Sequence, residues 1–232
     1  MVNSMQDDVG KRRRGAEWCA VWLCVALLAA SGCISAERIK KAEGHYQQGV
    51  AVFNSDRQSA YVSFQKALQE NPRHRNAHYY VAIIYANQEK FPEAEAEIRK
   101  ALEIDPDYPE AQNFLGQLLV KQNRRLEAIR AFRKAASSPL YSTPDVANYQ
   151  LGLALELEGD MEGAKQAFEE ALKVVPPNVP QALVYLELGR VHYRLGKDSE
   201  AREALAHAVS TDREKNGAVS AEAKALMERL KP

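Results

Sequence analysis

The residues best suited to chemistry in this sequence are five histidines, of which His74 and His78 stand four residues apart. That spacing places two side chains on one face of a helix, where they can share a metal ion. His74, however, follows Pro72 in a predicted turn, and His78 takes a position at which two helices would meet. No glutamate completes an HExxH motif, so the sequence predicts no metal site.

Other catalytic groupings are equally weak. The Ser and Thr residues between Ser137 and Pro144 lie among prolines, without the strand–turn–helix context of a nucleophilic serine. The sequence has no glycine-rich loop that could hold a phosphate. Lys and Arg together number 31, as do Asp and Glu, so no net charge draws the chain to nucleic acid. We therefore expect no enzyme, no cofactor and no nucleic-acid partner.

Three cysteines stand near the start of the chain, at Cys19, Cys24 and Cys33. Their spacings fit no common zinc or disulfide pattern. They accompany a basic cluster, Lys11–Arg14, and an apolar run, Trp18–Ala30, that is too short for a ~30 Å hydrocarbon core, which needs about 20 residues. A basic flank, a short apolar segment and small residues after it predict a secretory signal peptide over residues 1–32.

The segment Ala30-Ser31-Gly32-Cys33 resembles the lipobox of bacterial lipoproteins, in which the cysteine becomes the first mature residue and carries acyl chains. The resemblance implies that acylated Cys33 holds the protein on a membrane. Ile34, not aspartate, follows it, which in diderm bacteria resembles outer-membrane lipoproteins facing the periplasm. A signal peptide without lipidation is the alternative, and both Met1 and Met5 are candidate starts.

The remaining chain is organised by a recurring pattern of small and large apolar residues. Counted from Ala82, small residues recur at +12 and +19 and large ones at −1, +3 and +16. The same pattern starts from Gly116, Gly152 and Gly189, and a looser copy from Gly49 has a turn one residue shorter. Each copy predicts two amphipathic helices that cross closely at the small residues.

Pro72 and Pro106 are 34 residues apart, a period that resembles the tetratricopeptide repeat. The resemblance implies an all-α fold, a right-handed superhelical solenoid of five repeats with a C-terminal capping helix. A lipidated N-terminus with a short tether is expected at 33–41 and the capping helix at 216–232, the latter alternatively a degenerate sixth repeat or a polar tail. The repeats are expected at about 42–74, 75–108, 109–141, 144–179 and 180–215.

In such a superhelix the first helix of each repeat lines the concave side. The inward positions carry aromatic and aliphatic residues at both ends of the array and polar residues in the middle, with too few Lys, Arg and Asn to clamp an acidic tail. Such a strip predicts a protein partner that supplies an amphipathic helix or an added strand. Any single side chain could instead pack only against adjacent helices. The predicted partner-binding groove consists of Tyr46, Val50, Phe53, Tyr79, Ile83, Tyr149, Leu153, Leu157, Leu186 and Tyr193.

The linker Pro139-Leu140-Tyr141, followed by Thr143-Pro144 and the repeat at Gly152, resembles that of type IV pilus biogenesis lipoproteins, the tetratricopeptide secretin pilotins. This chain departs from them by its Ser142 and by five clear repeats where six are common. The resemblance implies a non-enzymatic outer-membrane scaffold for a secretin or another pilus assembly component, contacted through Tyr149, Leu153 and Leu157. The competing interpretation is a general envelope adaptor that recruits peptidoglycan enzymes or outer-membrane assembly factors.

Overall fold

Eleven α-helices and no strand make up residues 35–212 and 217–230, which are the residues that the computed structural model describes. No helix in these two ranges is long and apolar enough to cross a membrane. The predicted signal peptide, the lipobox and Cys33 lie outside the described residues. The all-α architecture expected from the repeat pattern is confirmed.

The first ten helices form five consecutive helix–turn–helix pairs, and one further helix follows them. The pairs are α1 (Ala36–Val52) with α2 (Arg57–Glu70), α3 (Arg75–Asn87) with α4 (Phe91–Ile104), α5 (Pro109–Lys121) with α6 (Arg125–Ala136), α7 (Pro144–Glu158) with α8 (Met161–Leu172), and α9 (Gln181–Arg194) with α10 (Asp198–Thr211); the last helix is α11 (Ala218–Arg229). The first helix begins at Ala36, so most of the tether predicted at 33–41 is already helical. Its N-terminus is capped by the Ser35 side chain, which accepts a hydrogen bond from the Arg38 backbone N–H at 3.3 Å.

Each pair is held closed by a large side chain of the second helix lying on a small residue of the first. In three pairs a phenylalanine ring meets a glycine so closely that a Cβ added to the glycine would lie 2.5 Å from the ring; these are Gly49 with Phe64, Gly116 with Phe132, and Gly152 with Phe168. In the second pair Ala82 takes the place of the glycine and Ile98 takes the place of the phenylalanine. The extra methyl group on the first helix is thus matched by a smaller side chain on the second. The predicted close crossing is therefore complementary in volume, as dense packing requires.

The turn inside each of the later pairs places one residue in the left-handed region, always at +7 from the small residue. Glu89 has φ 58° and Asn123 has φ 60° in the second and third pairs, and Gly159 has φ 85° and Gly196 has φ 70° in the fourth and fifth. A left-handed residue reverses the chain just past the end of a helix, which explains the glycines at two of these positions.

The first pair turns differently. The sequence predicts a tighter turn there, and this is wrong, because the shorter spacing comes from an earlier end of the first helix. Helix α1 ends at Val52, and Phe53–Asp56 form the turn, whereas the turn of the second pair is only Gln88–Lys90. Asp56 then starts α2, because its carboxylate accepts hydrogen bonds from the backbone N–H groups of Gln58 and Ser59 at 3.1 and 3.0 Å.

Asp145 links the two longer connections between pairs. It follows the connection that precedes α7 and binds the connection that precedes α9. Its side chain is 1% exposed and accepts hydrogen bonds from the backbone N–H groups of Asn178 (2.6 Å) and Val179 (2.9 Å) and from the Asn178 amide (3.0 Å). Burial opposes ionisation, but these hydrogen bonds outweigh it and lower the pKa of the Asp145 carboxyl group. The loop before α9 is thus held against the start of α7.

The pairs stack in chain order, and from the third pair onward the first helices also contact one another. Helix α5 contacts α7, α7 contacts α9, and α9 contacts α11, whereas the second helices of neighbouring pairs approach one another less. In the third to fifth pairs the first helices thus approach one another more closely than the second helices do, as expected of the concave face on which the sequence places the groove.

Helix α11 covers the end of the stack. Ala223 and Leu230 are buried in a cluster with Leu205 of α10. Ser220 donates hydrogen bonds through its backbone N–H and hydroxyl to Asp212, at 3.1 and 2.6 Å. The apolar face that the fifth pair would otherwise expose is therefore covered by α11, as expected of a capping helix.

Candidate partner-binding groove

The structure places the ten predicted groove residues on the first helices of the first, second, fourth and fifth pairs, or, for Phe53, just past the end of α1. Leu157 and Tyr193 are the most open, with 62% and 44% of their surface exposed. The half-buried side chains, each resting partly on a neighbouring helix, are Tyr46, Val50, Phe53, Tyr79, Ile83, Tyr149 and Leu153. These nine side chains leave apolar surface on the inner face.

Leu186 is the exception, and its prediction as a groove residue is wrong. Its side chain is only 3% exposed because it packs in the cluster that joins α9 and α10 to α11, with Leu205 and Ala223 among its neighbours. The capping helix takes the place that a partner would need. Spacing along one helix could not reveal this, because the covering residues come from the far end of the chain.

The N-terminal half of the groove is a network of aromatic rings. Tyr46 lies 4.8 Å from the His74 ring and 5.9 Å from the Tyr80 ring, centroid to centroid. Tyr80 also meets Phe53 edge-on at 5.0 Å. Tyr79 lies 5.4 Å from Tyr108, a residue of the turn before α5. These separations are typical of attractive aromatic pairs. The rings therefore hold one another in place across the first three pairs.

Tyr80 and Tyr108 belong to this surface although sequence reasoning missed both. Tyr80 lies one residue beyond a predicted inward position, and Tyr108 precedes Pro109 outside any helix. The high number of tyrosines in the N-terminal part of the repeat array could have indicated both residues. Helical spacing alone does not take that number into account.

Four tyrosines, Tyr46, Tyr79, Tyr80 and Tyr108, line one cavity of about 590 Å³, which we call the tyrosine pocket. Its size falls within the range of clefts that hold small ligands or single side chains. The guanidinium of Arg75 lies over the Tyr108 ring, 4.7 Å from its centroid, and pairs with Asp105. The wall of the pocket thus combines aromatic faces with an ion pair.

The hydroxyl groups of Tyr46, Tyr79 and Tyr108 stay protonated at physiological pH. Burial, together with the nearby Tyr80 and Glu43, raises the pKa of Tyr46 to about 12. Burial, together with Tyr141 and Glu110, raises the pKa of Tyr79 to about 12, and burial likewise raises the pKa of Tyr108. Neutral phenols can donate hydrogen bonds and keep electron-rich ring faces.

The C-terminal half is more charged than the sequence predicts. Arg194 pairs with Glu156 at 2.8 Å, beside the predicted contacts Leu153 and Leu157. Burial outweighs the attraction of Arg194 and raises the pKa of Glu156. Glu187 is 8% exposed and pairs with Arg190 at 2.8 Å. Burial raises the pKa of Tyr149, and the nearby charge of Glu187 raises it further. The C-terminal half is therefore an apolar strip bordered by ion pairs, whereas the N-terminal half is mainly aromatic.

One position in the polar middle of the groove, Asn113, is less accessible than the sequence predicts. Asn113, at the same repeat position as Tyr46 and Tyr79, is 7% exposed. Its side-chain oxygen has no hydrogen-bond partner among the described residues. Asn113 therefore contributes little polar surface to the groove, whereas Gln117 and Val120 of the same helix are half-buried and Lys121 is exposed.

The histidines considered for metal binding are already engaged by the protein. His78 places one ring nitrogen 2.6 Å from the Glu97 carboxylate and the other 2.9 Å from the Pro72 carbonyl. His74 caps α3 by accepting a hydrogen bond from the Ala77 backbone N–H at 3.1 Å. In residues 35–212 and 217–230 no group of three or more potential metal ligands comes together.

Comparison with known proteins identifies the repeat. Three family models described as tetratricopeptide repeat match residues 34–118, 109–138 and 144–214. The chain belongs to the tetratricopeptide repeat family. The matched ranges cover all five helix pairs, so the repeat assignment made from the spacing of small and large residues is confirmed.

Relatives of this repeat protein differ widely in their roles. Human protein O-mannosyl-transferase TMTC3 is 31% identical over 139 residues, which are 58% of this chain but 15% of that protein. Type IV pilus assembly protein PilF of Pseudomonas aeruginosa is 29% identical over 161 residues, 69% of this chain and 60% of PilF. The chain thus spans less than two thirds of the length of either relative.

The fold is shared with a solved structure of pilF from Pseudomonas aeruginosa. The two superpose with a TM-score of 0.69 at 24% identity, covering 83% of this chain and 87% of that one. At this identity the likeness shows the fold. The suspected resemblance to pilus biogenesis proteins therefore has a sequence relative and a structural neighbour of that kind.

Proposed function

We propose that this protein is a non-enzymatic scaffold, anchored by lipid in the outer membrane, which assists type IV pilus biogenesis by localising or assembling a secretin. The observation that carries the proposal is the extent of the likeness to PilF, which covers 69% of this chain and 60% of PilF. The likeness to the mannosyl-transferase covers only 15% of that enzyme. A shared domain inside a much larger enzyme gives little reason to transfer its activity.

The groove supports the binding part of the proposal. Tyr149, Leu153 and Leu157 lie at one-turn spacing on α7, where an apolar stripe can receive a helix or strand of a partner. The neighbouring ion pair between Glu156 and Arg194 gives that stripe a polar border. Apolar contacts inside a polar rim are typical of protein interfaces.

The anchoring part of the proposal depends on Cys33. Helix α1 begins at Ala36, so an acylated Cys33 would hold the first repeat close to the bilayer surface. Replacing Cys33 with Ser is expected to move the protein from the outer-membrane fraction to the soluble periplasmic fraction, as measured by fractionation and blotting. Retention of Cys33→Ser in the outer membrane would contradict lipid anchoring.

The test of function is deletion of the gene, followed by blotting for heat-stable secretin multimers and counting of surface pili. We expect both to fall, to return with the native gene, and not to return with a Tyr149→Ala/Leu153→Ala pair that is still expressed and folded. Unchanged multimers and unchanged pili after deletion would contradict the pilus role. In that case an altered cell-wall hydrolase activity in the same strain would favour the envelope-adaptor alternative.

A further inference from the structure

The tyrosine pocket has the composition of a site for a positively charged side chain. Ring faces of tyrosine carry partial negative charge, and cations within about 6 Å of a ring centroid are attracted to them. Tyr46, Tyr79, Tyr80 and Tyr108 bring four such rings to one cavity. Because the pKa values of Tyr46 and Tyr79 are about 12, those two phenols stay neutral.

The charges around the rings favour a cation. Asp105, Asp107 and Glu110 line the cavity, against Arg75 alone among its basic residues. Arg75 is neutralised by Asp105, and among the described residues Asp107 forms an ion pair only with Lys134, at 4.0 Å. Glu110 makes no ion pair with any described residue, and its charge acts on the rings, since it raises the pKa values of Tyr79 and Tyr108. An acidic group beside aromatic faces complements a basic guest.

The protein already shows that a guanidinium fits on these rings. The Arg75 guanidinium lies 4.7 Å from the centroid of Tyr108 while paired with a carboxylate. Tyr79 has no basic group over its ring among the described cation–ring contacts, although it lies in the same cavity and beside Glu110. Tyr79 and Glu110 therefore bring an aromatic ring and a carboxylate to the same cavity with no cation of the described residues over the ring.

We propose that the tyrosine pocket binds an arginine side chain from the partner's docking segment, held between the Tyr79 ring and the Glu110 carboxylate. This inference rests on the proposed function, since it names the chemistry that the groove recognises in its partner. An acidic or a purely apolar segment would not use Glu110, and either one is an outcome that the experiment below distinguishes.

The experiment uses the full chain purified in detergent and a fluorescein-labelled decapeptide of glycine and serine that carries two arginines. Matched peptides carry citrulline, which has the shape of arginine without its charge, or glutamate. Binding is followed by fluorescence anisotropy at low salt. We expect the arginine peptide to bind about three- to tenfold more tightly than the citrulline peptide, as a cation–ring contact predicts, and the glutamate peptide to bind weakest.

Variants separate the pocket from the rest of the acidic surface. Tyr79→Leu and Glu110→Gln should each weaken binding of the arginine peptide about three- to tenfold. The controls Tyr185→Leu, on a half-buried tyrosine of α9, and Glu103→Gln, on an exposed glutamate of α4, should leave the affinity unchanged. A thermal melt verifies that each variant is folded, and Glu110→Gln keeps the test valid if Tyr79→Leu is unstable.

Equal affinity for the arginine and citrulline peptides, tighter binding of the glutamate peptide, or no effect of both pocket variants would overturn the inference. The proposed function is tested separately, by measuring secretin multimers in cells. Normal multimers with Tyr79→Leu and Glu110→Gln, together with lost multimers in the Tyr149→Ala/Leu153→Ala pair, would overturn the pocket's role and leave the proposed function in place. Normal multimers after deletion of the whole gene would contradict the proposed function instead.

Discussion

Leu157 and Leu126 allow the groove to be tested at the scale of one residue. They have nearly the same exposed fraction, 62% and 63%, but Leu157 lies on a first helix and Leu126 on a second helix. Truncating either to Ala should change the free energy of unfolding by less than about 0.5 kcal/mol, because little packing is lost at an exposed position. If Leu157 contacts the partner, Leu157→Ala should cost about 1 kcal/mol or more of binding. Secretin captured on the immobilised chain should then fall about fivefold.

The control for this prediction is Leu126→Ala, which should capture as much secretin as the native chain. Both variants are compared at matched amounts of folded protein, measured by circular dichroism. Equal capture by the two variants would show that the inner face near Leu157 makes no contact with the partner.

His192 predicts an effect of pH on stability. It takes the position of Leu119 and Leu155 in the two preceding repeats, and its Nδ1 is buried without a hydrogen-bond partner among the described residues. Burial lowers the pKa of His192 below its usual 6.5. Because the unfolded chain then binds the proton more readily, the stabilising contribution of neutral His192 is present above about pH 6.5. It is lost as the pH falls through the lower pKa of the folded state.

His192→Leu should remove that part of the pH dependence and raise stability by about 1 kcal/mol, since it removes an unsatisfied buried polar atom. The measurement is the free energy of urea unfolding of both proteins at pH 7.5 and pH 5.5. The difference between them should widen at the lower pH. A constant difference would show that folding leaves the pKa of His192 unchanged, and a narrowing difference would show that folding raises it; either would contradict the prediction.

At the scale of the helix pair, the Gly–Phe contact makes a specific prediction. An added Cβ at Gly116 would lie 2.5 Å from the ring of Phe132. Gly116→Ala should therefore destabilise the protein by about 1–3 kcal/mol through overpacking. Gly44→Ala is the matched control, because Gly44 lies inside α1 with no atom within 4 Å of an added Cβ. It should stabilise by about 0.5–1 kcal/mol, as Ala does in a helix interior.

A second substitution distinguishes overpacking from other causes. Gly116→Ala combined with Phe132→Ile reproduces the Ala82 and Ile98 combination that the second pair already uses. The double variant should be more stable than Gly116→Ala alone in a thermal melt. If the second substitution instead adds its own full cost, the ring of Phe132 is not what the new methyl group meets.

The elements were the best predicted part of this protein, because a short-range rule fixes them. Two helices that cross closely need a small residue facing a large one, and that need repeats at each pair from Gly116 to Gly189. The exception was the first turn, where the spacing from Gly49 to Ala60 is one residue shorter. The spacing alone could not distinguish a tighter turn from an earlier end of α1. Asp56 caps α2 in either case, and the difference lies in the end of α1 at Val52.

The groove was predicted less well, because its surface is built by contacts across pairs. Leu186 satisfied the inward spacing but is covered by α11, and Asn113 is nearly closed. Glu187 and Arg190 are spaced for an i,i+3 ion pair on α9, but that this pair lies beside Tyr149 of the preceding repeat depends on how the pairs stack. Position along a helix gives the direction of a side chain, whereas exposure depends on what the next pair places over it.

At the scale of the whole molecule, a stack in which each pair contacts only its neighbours should lose stability locally when its end is opened. Ala223 and Ala221 test this from within α11, since Ala223 is fully buried against α10 and Ala221 is exposed. Ala223→Glu would bury an unpaired charge and is expected to detach α11, whereas Ala221→Glu should leave it in place. Amide hydrogen exchange should then show faster exchange in α10 and α11 of Ala223→Glu and unchanged protection from α1 to α6. Faster exchange throughout the stack would mean that the pairs unfold as a single cooperative unit, and equal exchange in both variants would mean that α11 contributes no stability as a cap.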